Sequence, residues 1–486
     1  MKYISTRGNS ESITAAEAIR HGIAPDGGLF VPESFPEYMP DPALSYGDLA
    51  LEIFGLYLDD YTEEELRLII ADSYFSGSFP GIIAPVITVG SSEILELWHG
   101  PTAAFKDVAL QALPHLLTSA IRKTDGDKEV VILVATSGDT GKAALEGFKD
   151  VDGVRIIVFY PKDGVSRLQE RQMLTTGGKN TYVVGVRGNF DDCQTAVKTV
   201  FNDKKLRAEM CQSGKEFSSA NSINWGRLLP QIVYYFHAYN QLIKKGNIDA
   251  GEAVNIVVPT GNFGNILAAY YAFRMGLPVN KFICASNRNN VLTNAIMDGV
   301  YDRRREFYRT ESPSMDIVVS SNFERMVFEL FNRDGKTTAE AFAKFANEGF
   351  FDIPKSIKDM FWSGYADQEK ANRAVRKAFT QHGYVYDPHT AVAAAVAEEY
   401  KKTTGDKHRM IIASTASPYK FPASILNALG ADTEGKSEDE LLVMLAEKSG
   451  IAPHRALIGL ENLPLKEQIV IDKEQIKETV IKLSRA

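Results

Sequence analysis

Hydrophobic and polar positions alternate along the middle of the chain in the order strand, polar loop, helix. Residues 130–135 form a continuous apolar run, which is typical of a strand covered on both faces. Comparable apolar runs follow at 155–160, 181–186, 252–259, 281–285 and 410–414. This alternation predicts a doubly wound α/β architecture, in which loops at the carboxyl ends of the strands form the site. Two sheets are expected, one around 130–186 and one around 252–285, the latter joined by 410–414.

Both ends of the chain depart from this rhythm. Residues 46–57 and 63–74 predict helices, and 86–97 predict a hairpin that turns at Gly90-Ser91-Ser92. Residues 313–382 predict mainly helix, and the charged tail from 430 predicts helices packed on the outside. We therefore expect three parts: an N-terminal region over 1–97, an α/β region over 98–430 with a smaller sheet at about 130–215 and a larger one at about 220–430, and a C-terminal helical extension over 431–486.

Composition and charge narrow the range of partners. The 486 residues are 44% hydrophobic and 24% charged, as is usual for globular proteins. The net charge of −8 and a single short basic run at 303–305 make nucleic acid and anionic membranes poor partners. Neither a signal-peptide core nor a membrane-length apolar run is evident, so we expect a cytoplasmic protein.

The cysteines and histidines do not suggest a metal site. Cys193, Cys211 and Cys284 are widely separated, which suits a reducing compartment and fits neither a disulfide framework nor a zinc site. The eight histidines include no H-E-x-x-H pair. No metal is therefore expected.

One lysine has an unusual setting. Lys106 ends the segment Trp98-His99-Gly100-Pro101-Thr102-Ala103-Ala104-Phe105-Lys106 and precedes an apolar run at 108–113 that predicts a buried helix. Burial disfavours an ammonium, so it lowers the lysine pKa and frees the amine to condense with an aldehyde. Two interpretations follow: a Schiff-base lysine, or a lysine that snorkels to solvent at a helix start.

Two glycine-containing loops between a strand and a helix predict anion sites. In Thr260-Gly261-Asn262-Phe263-Gly264-Asn265, glycines let backbone N–H groups approach an anion at a helix N-terminus, and a phosphate is the expected ligand. Ser137-Gly138-Asp139-Thr140-Gly141 offers hydroxyls and N–H groups that suit a carboxylate or phosphate oxygen. The alternatives are an ordinary tight turn for the first loop and, for the second, capping by Asp139 or Thr140.

Two later segments also carry candidate polar groups. Asn221-Ser222-Ile223-Asn224-Trp225-Gly226-Arg227 places amides, a hydroxyl and a guanidinium at a helix start, where Arg227 can reach a shared anion as a bidentate donor. The alternative is N-capping by Ser222 or Asn224 and a surface arginine. Thr415 follows a buried strand, where its hydroxyl either bonds a neutral ring nitrogen or serves a turn.

Together these segments resemble threonine synthases, which are pyridoxal-phosphate enzymes of the tryptophan-synthase-β-like fold (fold type II). The length and the long N-terminal region are similar to the bacterial and fungal subgroup. The matching segments occur in the family's order, and they are G-I-A-P-D-G-G-L-F-V-P at 22–32, H-G-P-T-A-A-F-K-D, A-T-S-G-D-T-G, N-S-I-N-W-G-R, G-N-F-G-N, D-P-H-T-A and T-A-S-P-Y-K-F.

The resemblance implies an activity and a set of residue roles. The activity is the conversion of O-phospho-L-homoserine and water to L-threonine and phosphate by elimination and β-hydration, the last step of threonine biosynthesis, in a monomer or homodimer. Lys106 is implied to carry pyridoxal 5'-phosphate covalently and to move protons during turnover. The cofactor phosphate is implied to be bound by Gly261, Asn262, Phe263, Gly264 and Asn265, and the pyridine nitrogen by Thr415. The substrate carboxylate or the cofactor's edge is implied to contact Ser137, Asp139 and Thr140. The substrate phosphate is implied to be bound by Asn221, Ser222, Arg227 and Lys162.

Two positions depart from the family pattern, and two other functions stay open. Ser417 stands where histidine is expected. Asp139 stands where many fold-type-II relatives carry asparagine, although threonine synthases of this subgroup are similar to this chain at that position. A related phospho-lyase would use the same cofactor on phosphohomoserine or phosphothreonine but release 2-oxobutyrate. A binding or scaffold protein without the cofactor is a third possibility, which Lys106 and the intact glycine loop disfavour.

Overall fold

Strands and helices alternate through most of the chain, and a computed structural model describes residues 1–124, 128–136 and 138–485. The strands are β1 (Tyr3–Ser5), β2 (Phe30–Pro32), β3 (Val86–Val89), β4 (Ser92–Glu96), β5 (Glu129–Ala135), β6 (Val154–Pro161), β7 (Thr181–Arg187), β8 (Lys215–Ser218), β9 (Val254–Pro259), β10 (Val279–Ser286), β11 (Val300–Asp302), β12 (Phe350–Asp352), β13 (Phe361–Tyr365), β14 (Met410–Ser414) and β15 (Ile469–Asp472). The α-helices are α1 (Ala15–His21), α2 (Tyr46–Tyr57), α3 (Glu63–Ile70), α4 (Lys106–Leu110), α5 (Leu113–Thr124), α6 (Asp139–Phe148), α7 (Arg167–Leu174), α8 (Phe190–Asn202), α9 (Lys204–Gln212), α10 (Trp225–Lys244), α11 (Gly264–Met275), α12 (Val291–Asp298), α13 (Phe323–Leu330), α14 (Gly335–Glu348), α15 (Ile357–Met360), α16 (Gln368–His382), α17 (Pro388–Thr404), α18 (Pro422–Ala428), α19 (Glu438–Ser449) and α20 (Ile476–Arg485).

The larger sheet has the strand order β13-β10-β9-β14-β4-β3. Its neighbouring strands run parallel except for the antiparallel hairpin β3–β4. In the middle of the sheet, Ile412 of β14 is in register with Val257 of β9 on one side and with Ile94 of β4 on the other. Because these three strands are parallel, the segments that follow them begin side by side at one edge of the sheet.

The smaller sheet has the order β15-β7-β6-β5-β8, and all its pairings are parallel. Its interior strand β5 is the apolar run around 130–135, and Val130 to Val134 are fully buried, as expected for a strand covered on both faces. The loop after β5 leads to α6. The prediction of an α/β fold with two main sheets is confirmed, and two small antiparallel sheets, β1–β2 and β11–β12, accompany them.

Several elements differ from the predictions. The stretch 313–382 is not uniformly helical, because β12 and β13 lie within it and β13 pairs with β10 at the edge of the larger sheet. The tail contains the helices α19 and α20, but β15 between them joins the smaller sheet beside β7. Short apolar or aromatic runs do not reveal by periodicity whether they are strands, so only the pairing partner decides these cases.

The hairpin at 86–97 forms as predicted, with Val86 in register with Leu95. However, β4 pairs with β14, so the N-terminal region expected over 1–97 ends inside the larger sheet. The helix expected from residue 63 to 74 divides into α3 and a π-helical turn over Ala71–Phe75. The helix expected from Lys142 begins at Asp139.

The N-terminal elements cover the first turns of α10. The ring of Trp225 lies 5.2 Å from that of Tyr3 and 5.3 Å from that of Tyr57, measured between centroids. The side chain of Asn224 caps this helix by accepting a hydrogen bond from the backbone nitrogen of Gly226 at 2.9 Å. Within the described ranges, no helix is long and apolar enough to cross a membrane.

Candidate active site

The segment that carries Lys106 is fixed by β14 and the turn after it. The backbone nitrogen of Phe105 donates to the carbonyl oxygen of Thr415 at 2.8 Å, and that of Ser417 donates to the carbonyl oxygen of Ala103 at 3.0 Å. Asp107 accepts hydrogen bonds from the backbone nitrogen and the hydroxyl of Thr102 at 2.8 and 2.6 Å. These bonds determine where α4 begins, and Lys106 is its first residue.

Lys106 is largely shielded from solvent, because its side chain is only 12% exposed. Its Nζ atom lies 3.3 Å from Oγ of Ser314 and 3.9 Å from Oδ2 of Asp139. Burial lowers the pKa of Lys106 to about 8, which the nearby Asp139 carboxylate only partly offsets. About a tenth of this amine is therefore neutral at pH 7, far more than of an ordinary lysine, and the neutral form is the one that acts as a nucleophile or proton acceptor.

Asp139 lies between two lysines at the start of α6. Its Oδ1 atom is 2.7 Å from Nζ of Lys420 and accepts a hydrogen bond from Nε2 of Gln169 at 3.1 Å. Burial alone would raise the pKa of Asp139, but Lys420 and Lys106 hold it well below its usual range. Asp139 does not cap the helix as the alternative interpretation expected. The hydroxyl of Thr136 instead accepts hydrogen bonds from the backbone nitrogens of Gly138 and Gly141 at 3.0 and 2.9 Å.

Ser314 connects the lysine to the larger sheet. Besides its contact with Lys106, its hydroxyl lies 3.4 Å from Oδ2 of Asp139. Its backbone nitrogen donates to Nε2 of His389 at 3.2 Å. Its carbonyl oxygen lies so close to Gly261 that a Cβ at residue 261 would be 2.3 Å away. Only glycine fits at residue 261, and the lysine and the glycine loop therefore flank the same short turn.

The glycine loop leads into α11 through a residue in the left-handed conformation. Phe263 has a φ of 63° and is the N-cap of this helix, so the first backbone N–H groups of α11 follow it directly. Asn265 is buried, and its Oδ1 atom accepts a hydrogen bond from the hydroxyl of Tyr235. Its Nδ2 atom has no partner among the described residues. The loop thus combines a helix N-terminus with an unused amide donor, which suits a phosphate.

The segment 221–227 lies against the same loop. Asn322 donates from Nδ2 to the carbonyl oxygen of Ser222 at 3.1 Å and from its backbone nitrogen to the carbonyl oxygen of Asn262 at 3.0 Å. Ser222 also places its hydroxyl 3.4 Å from that of Ser321. The turn 320–322 therefore joins the segment around Ser222 to the glycine loop.

Arg227 is buried and is not the surface arginine that the alternative interpretation expected. It is 3% exposed, and burial lowers its pKa to about 10. Nη1 donates to the carbonyl oxygen of Ala220 at 2.8 Å, whereas Nε has no partner within the described part of the chain. A buried guanidinium with an unused donor and no carboxylate partner among those residues suits an anionic ligand.

Three predicted substrate residues have different outcomes. Lys162 follows β6 and forms an ion pair with Glu170 at 2.5 Å, and none of the described contacts joins it to Lys106 or Arg227. Thr140 is the second residue of α6, next to Asp139, and is partly exposed. Ser137 lies outside the described residues. Their roles stay predictions.

The turn after β14 holds the remaining predicted residue. Thr415 is buried, and its carbonyl oxygen accepts the hydrogen bond from Phe105 described above. Ser417, at the position where histidine was expected, caps the short turn Pro418–Lys420 with its hydroxyl. The serine therefore has a local structural role that brings Lys420 into the site.

Sequence reasoning missed Ser314, His389 and Lys420 as members of the site. His389 and Lys420 lie within segments that resemble the family's motifs, so those segments were a usable signal for them. Ser314 lies in the turn Pro313–Met315, and nothing in its local sequence separates it from an ordinary turn serine.

The side chains present fit pyridoxal phosphate. The buried amine of Lys106 suits an aldehyde, and the start of α11 with the unpaired Nδ2 of Asn265 suits a phosphate. The absence of space for a Cβ at Gly261 shows how closely the backbone of this loop packs beside the lysine.

Comparisons with known proteins agree with this geometry. The family described as Threonine synthase N terminus matches residues 2–74, the family Pyridoxal-phosphate dependent enzyme matches 95–415, and the family Threonine synthase, C-terminal matches 390–456. Threonine synthase of Pseudomonas aeruginosa is 38% identical over 440 residues, which cover 88% of this chain and 90% of that protein. Threonine synthase of Saccharomyces cerevisiae is 36% identical, with 90% and 91% covered.

A longer relative and a solved structure add to the comparison. Threonine synthase-like 1 of Homo sapiens is 39% identical over 470 residues, and the match covers 91% of this chain but 62% of that protein. The chain thus spans less than two thirds of that relative's length. The crystal structure of PLP-bound threonine synthase from Brucella melitensis has a TM-score of 0.87 and 33% identity, with 100% of both chains covered.

The fold and the site define a pyridoxal-phosphate dependent enzyme of fold type II. Within that class, the chain belongs to the threonine synthase family.

Proposed function

We propose that the protein converts O-phospho-L-homoserine and water to L-threonine and inorganic phosphate, using pyridoxal 5'-phosphate bound at Lys106. The observation that carries the proposal is the largely buried Lys106 amine, which faces Ser314 beside Gly261, while the charge of the buried Arg227 acts on that amine. An amine, a phosphate cradle and a second cationic anion site are what a phosphorylated amino acid and this cofactor require together. The similarity to bacterial and yeast threonine synthases supports the choice of substrate.

Each candidate residue has a proposed task. Gly261 to Asn265 hold the cofactor phosphate, and Thr415 bonds its ring nitrogen. When bound, the cofactor supplies a conjugated ring that accepts the electron pair left at the substrate α-carbon. The substrate carboxylate or the edge of the cofactor is bound by Ser137, Asp139 and Thr140. Lys162 is proposed as a further ligand of the substrate phosphate, which is a dianion. To bind it, Lys162 leaves its ion pair with Glu170.

Lys106 is the proposed catalytic base. As a neutral amine it takes the proton from the substrate α-carbon, and it later returns protons to the carbon skeleton. Asn221, Ser222 and Arg227 hold the phosphate as it leaves the γ-carbon. The chain carries a net charge of −8, so the electrostatic field of the whole protein does not attract a phosphate dianion. Cations close to the site must attract it instead.

The proposed setting is a cytoplasmic enzyme, either monomeric or homodimeric, that acts on a small molecule and binds neither nucleic acid nor membrane. Its acidic balance and the burial of Cys193 and Cys284 as free thiols support this setting.

The test is incubation of the purified protein, loaded with pyridoxal phosphate, with O-phospho-L-homoserine. We expect threonine and phosphate in equal amounts, and neither product from the Lys106→Ala variant. Phosphate accompanied by 2-oxobutyrate without threonine would instead identify the phospho-lyase. If no phosphate were released, the proposal would be wrong about the substrate.

A further inference from the structure

The two lysines around Asp139 differ in their contacts. Nζ of Lys420 lies 2.7 Å from Oδ1 of Asp139, whereas Nζ of Lys106 lies 3.9 Å from Oδ2. The side chain of Lys420 is 0% exposed and that of Asp139 is 3% exposed, so solvent does not screen either charge. Lys420 also donates to the carbonyl oxygen of Thr102 at 3.1 Å, which ties it to the segment that carries Lys106.

A buried carboxylate beside Lys106 raises a difficulty for the proposed chemistry. On its own, Asp139 would stabilise the ammonium form of Lys106 and oppose its action as a base. A carboxylate that is already paired with another cation exerts a weaker net field on its second neighbour. Lys420 is placed to supply that pairing from the turn after β14.

We propose that Lys420 is a positioning residue that neutralises Asp139, so that Lys106 remains available as the neutral amine. This proposal rests on the proposed function, because that function requires Lys106 to accept a proton.

The other charged groups near Lys106 come from different elements. Asp139 belongs to α6 and Asp107 to α4, and both carboxylates favour the ammonium form. Lys420 from the turn after β14 and Arg227 from α10 oppose it. Burial is the largest influence, and the resulting pKa of Lys106 is about 8. Removal of Lys420 removes one opposing cation and leaves Asp139 with Lys106 as its cationic neighbour.

The experiment measures the protonation of Lys106 directly in the full chain freed of cofactor. Acetic anhydride acylates a lysine only when its amine is neutral, so the pH dependence of acetylation of the Lys106 peptide, followed by mass spectrometry, gives the midpoint of its titration. The exposed Lys402 serves as an internal reference in the same digest. In Lys420→Met we expect the midpoint to rise by at least about one pH unit, and the acetylation rate at pH 8 to fall about fivefold.

A second variant separates charge from packing. Asp139→Asn should lower the midpoint below that of the wild type, and Asp139→Asn combined with Lys420→Met should reverse the rise seen in Lys420→Met alone. A structural defect at Lys420 would not be reversed in this way. If Lys420→Met fails to fold, as judged by circular dichroism, the midpoint measured in Asp139→Asn tests the proposal instead.

An unchanged or lower midpoint in folded Lys420→Met would overturn the proposal, as would an unchanged or higher midpoint in Asp139→Asn. The readout does not depend on the substrate. If the midpoints move as expected but no threonine is formed, the proposed function fails and the pairing of Lys420 with Asp139 stands. If threonine is formed but the midpoints do not move, the proposed function stands and the role of Lys420 is wrong.

Discussion

His389 holds Ser314 through its Nε2 atom, which accepts a hydrogen bond from the backbone nitrogen of Ser314 at 3.2 Å. The Nδ1 atom of the same ring lies 2.7 Å from Oδ1 of Asp387. An acceptor at Nε2 and a carboxylate at Nδ1 together require that the proton reside on Nδ1. The neutral ring thus fixes the turn whose hydroxyl faces Lys106, from a position about 280 residues along the chain from that lysine.

Replacement of His389 by alanine should cost stability and activity together. The change leaves the partly buried Ser314 N–H without its acceptor and the buried Asp387 without the ring, so we expect a loss of about 1–3 kcal/mol in the free energy of unfolding. Urea denaturation measures this loss. The control is His408→Ala: His408 makes a similar contact with Asp406 at 2.6 Å, but its side chain is 44% exposed. It should change stability by less than about 0.5 kcal/mol and leave turnover unaltered.

Lys106→Ala should abolish both turnover and the visible absorbance of the lysine-bound cofactor. The physical reason is that no other amine in the described structure contacts Ser314 beside the glycine loop. Absorbance spectra of the dialysed protein check this outcome, with Lys402→Ala as the control at an exposed site. Normal turnover in Lys106→Ala would remove the lysine from its proposed role.

Arg227→Ala should raise KM for O-phospho-L-homoserine and leave the cofactor spectrum unchanged. The loss of a charge-assisted contact to phosphate is worth about 1.5–3 kcal/mol, which corresponds to a rise of about 10- to 150-fold. Steady-state kinetics and cofactor titration provide the two measurements. Loss of cofactor binding would instead place Arg227 at the cofactor phosphate.

Arg325 offers a matched control for that variant. It is also a fully buried arginine with a pKa lowered by burial to about 10, but it donates to the carbonyl oxygens of Phe30 and Ile223 and to the side chain of Asn322. Since its donors are used within the protein, Arg325→Ala should lower the free energy of unfolding. Because Asn322 joins the segment around Ser222 to the glycine loop, the comparison with Arg227→Ala uses the free energy of unfolding and not KM.

The buried Lys106 amine should make the cofactor-free protein less stable at neutral pH. Its pKa is about 8 in the folded state against an ordinary value of 10.5, so the unfolded chain binds more protons between these two values. Stability therefore rises with pH across that window. Relative to wild type, Lys106→Met should be more stable by about 1–3 kcal/mol at pH 7.

The sign of this effect provides its check. The difference between Lys106→Met and wild type should shrink as pH rises from 8 to 10.5, whereas Lys402→Met should show a difference that does not vary with pH in this way. Urea denaturation at several pH values measures both. A difference that grows with pH would show that the lysine is stabilised as the ammonium ion in the folded protein.

Tyr235→Phe should weaken cofactor binding without unfolding the protein. The Tyr235 hydroxyl donates to Oδ1 of Asn265 and thereby fixes the orientation of the amide that leaves Nδ2 unpaired. The loss of one such bond is worth about 1 kcal/mol, or roughly a fivefold rise in the Kd for pyridoxal phosphate. The control is Tyr239→Phe on the same helix, whose hydroxyl donates to the carbonyl oxygen of Glu252 at 2.9 Å; it should leave that Kd unchanged.

Local sequence was sufficient for features that depend on neighbouring residues. The apolar run of β5 requires cover on both faces wherever it lies, and the structure buries it. The hairpin β3–β4 was predictable from its turn and its flanking apolar residues. Lys106 and Gly261 were candidates on local sequence, but each kept an ordinary alternative, a snorkelling lysine and a tight turn, until the ordered family motifs were considered together.

The tertiary structure alone determined which distant groups form ion pairs or hydrogen bonds with one another. Lys420 enters the site through the turn after β14, a strand that pairs in parallel with β4 and β9. Ser314 comes instead from the turn Pro313–Met315, and His389 comes from the first turn of α17. No periodicity encodes those pairings, because parallel partners are joined by long connections. The pKa of Lys106 likewise depends on burial and on Asp139, Lys420 and Arg227, which come from three separate elements. The sequence determined the local elements and the chemical types available, whereas the fold determined which buried charges compensate one another, since that depends on distances between residues far apart in the chain.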